Sequence, residues 1–357
     1  MVEFNIENFE DRLREKNKFD GNIVFGAKKF HNDTNRSGVG KPSSGGLIKE
    51  HAKVVLDSGV ERYQRKNGLW EEVKQCPVCG KKDKEFFLHR MGLDIYRCLE
   101  CTHRYLDPRI KFEEAVKIYS DDSTASDIYK SPIQKEMDYI KYSYGLKLIE
   151  KLLPPSKSKI MDLGCGTGLF LKIAFENGWN ECIGIDANGN YVDEYQSDGK
   201  NGLKFINTTF EGLDKDKVGF DYDCISLWNV LEHLYDLNGI VGSMYEILKV
   251  NGLVFIMVPN VESLITRLSR EMSPTFNWKH LSHFSPTSLK KLFELNGFEE
   301  VFFETVISEI DNIKSYMSGE YPYHGHGDPK GLFEFITPEY IHKNNLGSRM
   351  IGVYKKC

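Results

Sequence analysis

The chain has no apolar run approaching the roughly 18 residues of a membrane span. Its first residues, MVEFNIENFEDRLREK, are charged where a secretory leader needs an apolar core. Both absences lead to the expectation of a cytoplasmic protein that meets no membrane. A basic excess is missing too: 47 Lys and Arg against 52 Asp and Glu leave a formal net charge of -5. No whole-chain positive field therefore draws it to nucleic acid or anionic lipid, and a small or neutral substrate is favoured. Internal repeats are lacking. So is the regular cysteine framework of a disulfide scaffold, because four of the eight cysteines are tightly clustered (Cys76, Cys79, Cys98, Cys101) and four are scattered (Cys165, Cys182, Cys224, Cys357). In a reducing compartment the cluster reads as metal-binding, and the scattered four read as packing or surface positions.

What is present divides the 357 residues into one large unit and smaller pieces. Residues 1–70 are polar, punctuated by Gly and Ser around SGVGKPSSGG, and show no sustained period, which predicts irregular structure. Residues 71–110 hold the cysteine cluster. Residues 111–155 read as a helical linker, broken at Ser131-Pro132 and ended by Leu153-Pro154-Pro155. Residues 156–357 alternate seven short apolar runs with helical patterns. The runs are IMDL, CIGID, LKFIN, YDCISLW, LVFIMV, EEVFFET and RMIGVYK. Alternation of this kind predicts an α/β fold, a Rossmann-like, seven-stranded, mostly parallel sheet with helices on both faces. The stretch 308–345 is too long for a hairpin and contains YPYHGHGDPKG, so it is expected to be an insertion facing the substrate.

The cluster has the form C-x2-C, an 18-residue gap, and C-x2-C. Two such knuckles bring four thiolates to the corners of a tetrahedron, the arrangement zinc accepts, and the gap fits a zinc ribbon. Four protein ligands close the coordination sphere, so the metal is expected to be structural.

In the large unit the most specific signal is Ile160-Met161-Asp162-Leu163-Gly164-Cys165-Gly166-Thr167-Gly168, a strand running into a glycine turn and then a helix. The glycines let the backbone turn sharply and a ligand approach closely. Leu169 at the sixth loop position departs from the G-x-G-x-x-G of dinucleotide oxidoreductases, and Asp162 would repel a pyrophosphate. Asp186 closes the next apolar run, where a carboxylate can accept both hydroxyl hydrogens of a ribose.

Taken in order, DLGCGTG, GIDA, FDYDCISLWNVLEHL and LKVNGLVFIMVPN resemble class I S-adenosylmethionine-dependent methyltransferases acting on small molecules, over Ser158 to Lys356. The resemblance implies S-adenosylmethionine as cofactor. Asp162, Gly164, Cys165, Gly166 and Gly168 would surround the methionine moiety, Asp186 the ribose, and Leu227 to Asn229 the sulfonium end. Such proteins often carry an acid after the third strand for the adenine amine. Here the segment reads Asn207-Thr208-Thr209-Phe210, so Thr209 or Phe210 would hold adenine by hydroxyl or stacking.

A zinc ribbon ahead of a methyltransferase domain also resembles sugar C-methyltransferases acting on nucleotide-linked deoxysugars. Their Tyr-x-Glu-His-Leu-Ser-Tyr-Tyr-Ser motif is similar to Trp278-Lys279-His280-Leu281-Ser282-His283-Phe284-Ser285, and this places His280 as base, with Lys279 where the glutamate stands. The rival role for His280 or His283 is to cap the helix beginning near Pro286. A second candidate, Asn229-Val230-Leu231-Glu232-His233, is similar to the Glu-x-x-Glu-His segment of ubiquinone-pathway O-methyltransferases, where those side chains are associated with a divalent cation. Asn229 replaces the first acid, and Glu232 and His233 rank second to His280. The resulting expectation is methyl transfer to a small-molecule acceptor, a nucleotide-linked sugar or other glycan-pathway intermediate. The alternative is an RNA or protein methyltransferase with the ribbon as reader. Lys81-Lys82-Asp83-Lys84 favours that alternative, and the lack of an Asn/Asp-Pro-Pro-Tyr/Phe motif after the fourth strand of the large unit disfavours it.

Overall fold

A computed structural model of the chain describes residues 68–90, 92–120, 132–188, 202–211, 215–317 and 334–357. Most of the N-terminal segment expected to be irregular, and the YPYHGHGDPKG stretch, lie outside the described residues.

All seven apolar runs are strands of one sheet: β6 (Lys159–Leu163), β7 (Glu181–Asp186), β8 (Leu203–Asn207), β9 (Tyr222–Trp228), β10 (Leu248–Pro259), β12 (Phe298–Val306) and β13 (Arg349–Lys356). Their order across the sheet is β12-β13-β10-β9-β6-β7-β8, and only β13 runs antiparallel to its neighbours. The chain winds outward from β6 in one direction through β7 and β8, then returns to the other side of β6 as β9. A topological switch point therefore falls between β6 and β9, and the crevice beyond their carboxyl ends is where such sheets bind ligands.

Period-two alternation sends successive side chains to opposite faces. The first helix, α1 (Phe112–Ser120), precedes the sheet in the chain. Ile160, Cys182, Cys224 and Phe255 pack under helices α2 (Pro132–Leu152) and α3 (Leu169–Glu176). Met161, Leu163, Ile225, Leu227 and Val254 pack under α4 (Leu237–Ile247) and α5 (Pro286–Leu295). Gly145 of α2 allows close approach to the sheet, since a Cβ there would lie 2.3 Å from the Trp228 ring.

The cysteine region forms a four-stranded sheet of order β11-β4-β3-β2, from β2 (Lys84–Arg90), β3 (Leu93–Cys98), β4 (Arg104–Leu106) and β11 (Ser282–His283). A separate pair joins β1 (Trp70–Glu71) to β5 (Arg109–Ile110). One of the four strands, β11, therefore comes from the large unit, far along the chain from its partner β4. The small apolar core of this region likewise mixes Trp70, Leu93, Ile95 and Leu106 with Phe276, Trp278 and Leu281. Cys76, Val78, Cys98 and Cys101 belong to the same apolar cluster as Leu231, Leu237 and Val241. The cysteine module thus shares both a sheet and a core with the large unit.

Candidate active site

Loop geometry at the switch point begins with the three glycines. Gly164, Gly166 and Gly168 all have positive φ, at 74°, 49° and 70°, values that L side chains rarely adopt. At Gly164 the space is closed as well, because a Cβ would lie 2.3 Å from Val230 Cγ2. At Gly166 the opposite holds, with nothing within 4 Å of such a Cβ. The first glycine is required by packing, and the second leaves its backbone open to a ligand. Gly166 N donates to Asp186 Oδ2 at 2.9 Å and Asn188 N to Asp186 Oδ1 at 2.8 Å, so one carboxylate ties the glycine turn to the end of β7. Burial raises the Asp186 pKa, and these two N–H donors pull it back.

The cavity over this loop has a volume of about 330 Å³. One end is lined by Gly164 to Thr167, Asp186, Asn188, Thr209 and Phe210. The other is lined by Trp228 to Val230, His233, Tyr235, Lys279 and Phe112, with Asp138 and Tyr142 of α2 along one wall. Two buried polar atoms of lining residues, Trp228 Nε1 and Asn229 Oδ1, have no hydrogen-bond partner among the described residues. A donor and an acceptor left unpaired beside a cavity are costly unless a ligand or water engages them. Asn229 also holds φ at 55°, with its N–H donating to Met257 O at 2.7 Å, which fixes its place just past β9.

Of the residues read from sequence for the cofactor, Gly164, Cys165, Gly166, Asp186, Thr209, Phe210 and Asn229 line this cavity. Asp162, Gly168 and Leu227 do not. Leu227 is fully buried in the core. Asp162 shares the face of β6 with Ile160, so its side chain turns beneath α2 and α3, where it is 2% exposed and accepts from Ser226 Oγ at 2.6 Å. Burial pushes its pKa up to about 8. The carboxylate along that wall of the cavity belongs instead to Asp138, paired with Lys141 at 2.5 Å. Asp138 and Tyr142 are additions that the sequence motifs miss. Their i,i+4 spacing on one helix face is a usable signal, obscured because residues 111–155 read as a linker.

The two histidine candidates, expected to compete, occupy one place. The His233 and His280 rings lie 4.9 Å apart, and Glu232 Oε1 is 3.9 Å from His233 Nε2. Of the three side chains only His233 borders the cavity. Its Nδ1 lies 2.8 Å from Lys279 O, and His280 Nδ1 lies 2.7 Å from Thr275 O. A carbonyl only accepts, so both Nδ1 atoms carry the proton and each Nε2 keeps its lone pair. Burial lowers the His233 pKa to about 4, with the Lys279 charge adding to this, although 27% of the side chain is exposed where it faces the cavity. The His280 pKa is lowered further by burial and by His233, not by Lys279. Glu232 is 2% exposed, neither carboxyl oxygen has a hydrogen-bond partner among the described residues, and burial raises its pKa to about 8. Neither His280 nor His283 caps α5. Ser285 does so, in a capping box with Ser288.

The four cysteine sulfurs lie within 4.8 Å of one another, with Cys76–Cys101 and Cys79–Cys98 both at 3.5 Å. Tetrahedral Zn–S bonds of about 2.3 Å place sulfurs about 3.8 Å apart, so the thiol set fits such an ion. Cys165, Cys182 and Cys224 are buried and Cys357 is exposed, as expected of packing and surface thiols.

Residues 135–301 match the family model described as "Methyltransferase domain". The matched stretch runs from α2 into β12 and is a methyltransferase domain. Among curated proteins, the ubiquinone biosynthesis O-methyltransferase of Bartonella tribocorum is 30% identical over 112 residues, 30% of this chain and 44% of that protein. The chain thus spans less than half the length of that relative. Solved structures similar to it include magnesium protoporphyrin IX methyltransferase from Synechocystis with bound SAH (12% identity, 69% of this chain, 100% of that chain, TM-score 0.46). A SAM-dependent methyltransferase from Archaeoglobus fulgidus is another (19% identity, 66% of this chain, 100% of that chain, TM-score 0.44).

Proposed function

We propose that the chain transfers the methyl group of S-adenosylmethionine to a small-molecule acceptor of the sugar class, a nucleotide-linked sugar or other glycan-pathway intermediate. The observation that carries this reading is a single cavity that joins the glycine turn and Asp186 at one end to His233 at the other. The bound cofactor supplies an electrophilic methyl on sulfonium sulfur. The turn and the Asp186 carboxylate orient it, Phe210 and Thr209 flank the adenine position, and Trp228 with Asn229 borders the reacting end. Methyl transfer is a direct displacement, so alignment contributes most, and a base is required only when the acceptor carries a proton that must leave. His233 fits that role, being neutral near pH 7, bordering the cavity, and holding its Nε2 lone pair by the Nδ1–H bond to Lys279 O. His280, packed behind it, orients it. Phe112 and Tyr235, whose rings meet edge to face at 5.3 Å, offer the apolar contact and Lys279 the one cation among the cavity-lining residues described. Mixed aromatic and polar lining of this kind suits a small acceptor with charged or hydroxylated groups. The small-molecule substrate of the Bartonella relative agrees with the acceptor's size class. In this reading Cys76, Cys79, Cys98 and Cys101 hold one structural zinc.

The test is a methyl-transfer assay with labelled S-adenosylmethionine against nucleotide-linked deoxysugars, hydroxylated aromatics and RNA. Label is expected in a sugar. Label in the aromatics alone would move the acceptor class, and label in RNA alone would overturn the small-molecule reading.

A second reading concerns Glu232, His233 and His280. Their ligand atoms lie within 4.8 Å of one another, and the Glu232 oxygens lack hydrogen-bond partners among the described residues, which favours a divalent cation at this point. Metal analysis separates the readings. Two metals per chain, falling to one in Glu232→Gln, would support the cation, whereas one metal in both proteins would leave the histidines as a proton-handling pair.

A further inference from the structure

We infer that the four-cysteine cluster is the clamp that holds His233 and His280 at their working separation, because its two knuckles grip the two segments on which those histidines lie. The inference rests on metal occupancy of the cluster and on the reading of the two histidines given above.

The first knuckle, Cys76 to Cys79, is gripped from the His233 side. Asn238, in the first turn of α4 and five residues beyond His233, donates through Nδ2 to Pro77 O at 2.8 Å and to Val78 O at 3.2 Å. Its own Oδ1 accepts from Asn296 Nδ2 at 2.9 Å, which fixes the amide orientation. Val78 is 1% exposed and shares the apolar cluster of Leu231, Leu234 and Leu237.

The second knuckle, Cys98 to Cys101, grips the His280 side. Cys98 N donates to His103 O at 2.8 Å and Thr102 N to Cys98 O at 3.1 Å, so the residues leaving the knuckle are locked to it. His103 is fully buried, its Nε2 lies 3.1 Å from Ser282 Oγ, and its ring rests 4.9 Å from that of Phe284. From there β4 pairs with β11 through Tyr105 opposite Ser282 and Arg104 opposite His283, while Leu106 N donates to Leu281 O at 3.0 Å. His280 is the residue just before this paired run.

Each histidine segment is thus fastened to a different knuckle, and the knuckles are joined at the four sulfurs and by the β2–β3 pairing beside them, where Lys84 lies opposite Cys98 and Leu99 N donates to Asp83 O at 3.0 Å. A metal bonded to all four would add a coordinate link that stiffens the join between the two attachments, beyond the strand pairing and the His233 bond to Lys279 O. The glycine turn is held to the end of β7 by its own bonds, from Gly164 N and Cys165 N to Ile185 O. Metal loss is therefore expected to loosen the acceptor end of the cavity and spare the cofactor end. Stability confined to one cooperative unit is read by amide exchange.

The experiment is hydrogen exchange on the full chain before and after chelation, with S-adenosylhomocysteine binding by calorimetry in parallel. Amides of 231–238 and 280–283 are expected to exchange at least tenfold faster together after chelation. Those of 160–163 and 182–185 are expected to stay protected, and the Kd for S-adenosylhomocysteine to change less than twofold. Acceleration confined to 76–106 would overturn the clamp, since the metal would then support only its own strands. Acceleration throughout, cofactor strands included, would also overturn it. Two variants test the attachments with the cysteines intact. Asn238→Ala should loosen 231–238 alone and Ser282→Ala should loosen 280–283 alone, with Ser282→Thr restoring protection. Unchanged protection in both alanine variants would overturn the inference. A chain that purifies without metal fails the metal reading separately, and the absence of S-adenosylhomocysteine binding fails the methyltransferase reading.

Discussion

The two ends of the cavity are built in different ways. The proposed cofactor end comes almost wholly from one short stretch, residues 164–188, with Thr209 and Phe210 added from the loop after β8. The acceptor end collects Phe112, Asp138, Tyr142, Trp228, His233, Tyr235 and Lys279 from separate segments of the chain. A site made from one β-turn-α unit is held by local bonds such as Gly166 N to Asp186 Oδ2 and survives changes elsewhere. A site assembled from distant segments is only as well placed as the packing that brings them together. The first suits a constant cofactor, and the second allows the acceptor to differ between proteins that share the sheet.

If the division is real, the largest effect should come from His233. His233→Ala is expected to lower turnover by about 100- to 10,000-fold, the usual contribution of a general base, while the Kd for S-adenosylhomocysteine stays unchanged. His280→Ala should cost less, because His280 does not border the cavity. Steady-state kinetics and calorimetry on the same preparations check both. An equal or greater loss in His280→Ala would return the base to that residue.

Gly145→Ala comes next. Its new methyl would meet Trp228 at 2.3 Å, and overpacking of this sort costs about 1 to 3 kcal/mol. Pushing α2 outward moves Asp138 and Tyr142 with it. The acceptor KM is therefore expected to rise more than the cofactor Kd, alongside a lower melting temperature. Equal changes in the two constants would mean that α2 serves both ends alike.

A third effect is a pH dependence at Asp162. Its folded pKa, about 8, lies above the value of 3.8 for an unhindered aspartate. The folded chain therefore keeps a proton that the unfolded chain releases. For this group stability is full below about pH 4, falls as pH rises, and levels off above about pH 8. Asp162→Asn removes this slope, so the variant should gain on the parent as pH is raised from about 5 to about 8. Denaturant unfolding at several pH values reads the difference, and parallel curves would show that Asp162 is ionised in the folded chain.

Legibility in the sequence follows the same division. All seven strands of the large sheet are visible as apolar runs, and the central ones most plainly, because they are buried on both faces or nearly so. The glycine turn, Asp186, Thr209 and Phe210 can be placed since they lie at fixed positions after those strands. Asp162 shows where motif reading stops. Its position in the string is clear, but strand alternation buries its side chain under α2, where it does not line the cavity. The cysteine spacing reveals four thiols able to share an ion, yet gives no sign that β11 completes their sheet, because two residues carry no periodicity. His233 and His280 are each visible as candidates. Their meeting at 4.9 Å depends on tertiary contacts such as that of His233 with Lys279 O, 46 residues away, which no local pattern encodes.

Cofactor binding at the glycine turn and Asp186 is read most directly by titration. Calorimetric titration of the full chain with S-adenosylhomocysteine should show one site per chain. Asp186→Ala should weaken it by about 10- to 150-fold, the equivalent of roughly 1.5 to 3 kcal/mol for lost charge-assisted hydrogen bonds. No binding to the parent chain, or equal binding to parent and variant, would contradict the assignment of this cavity.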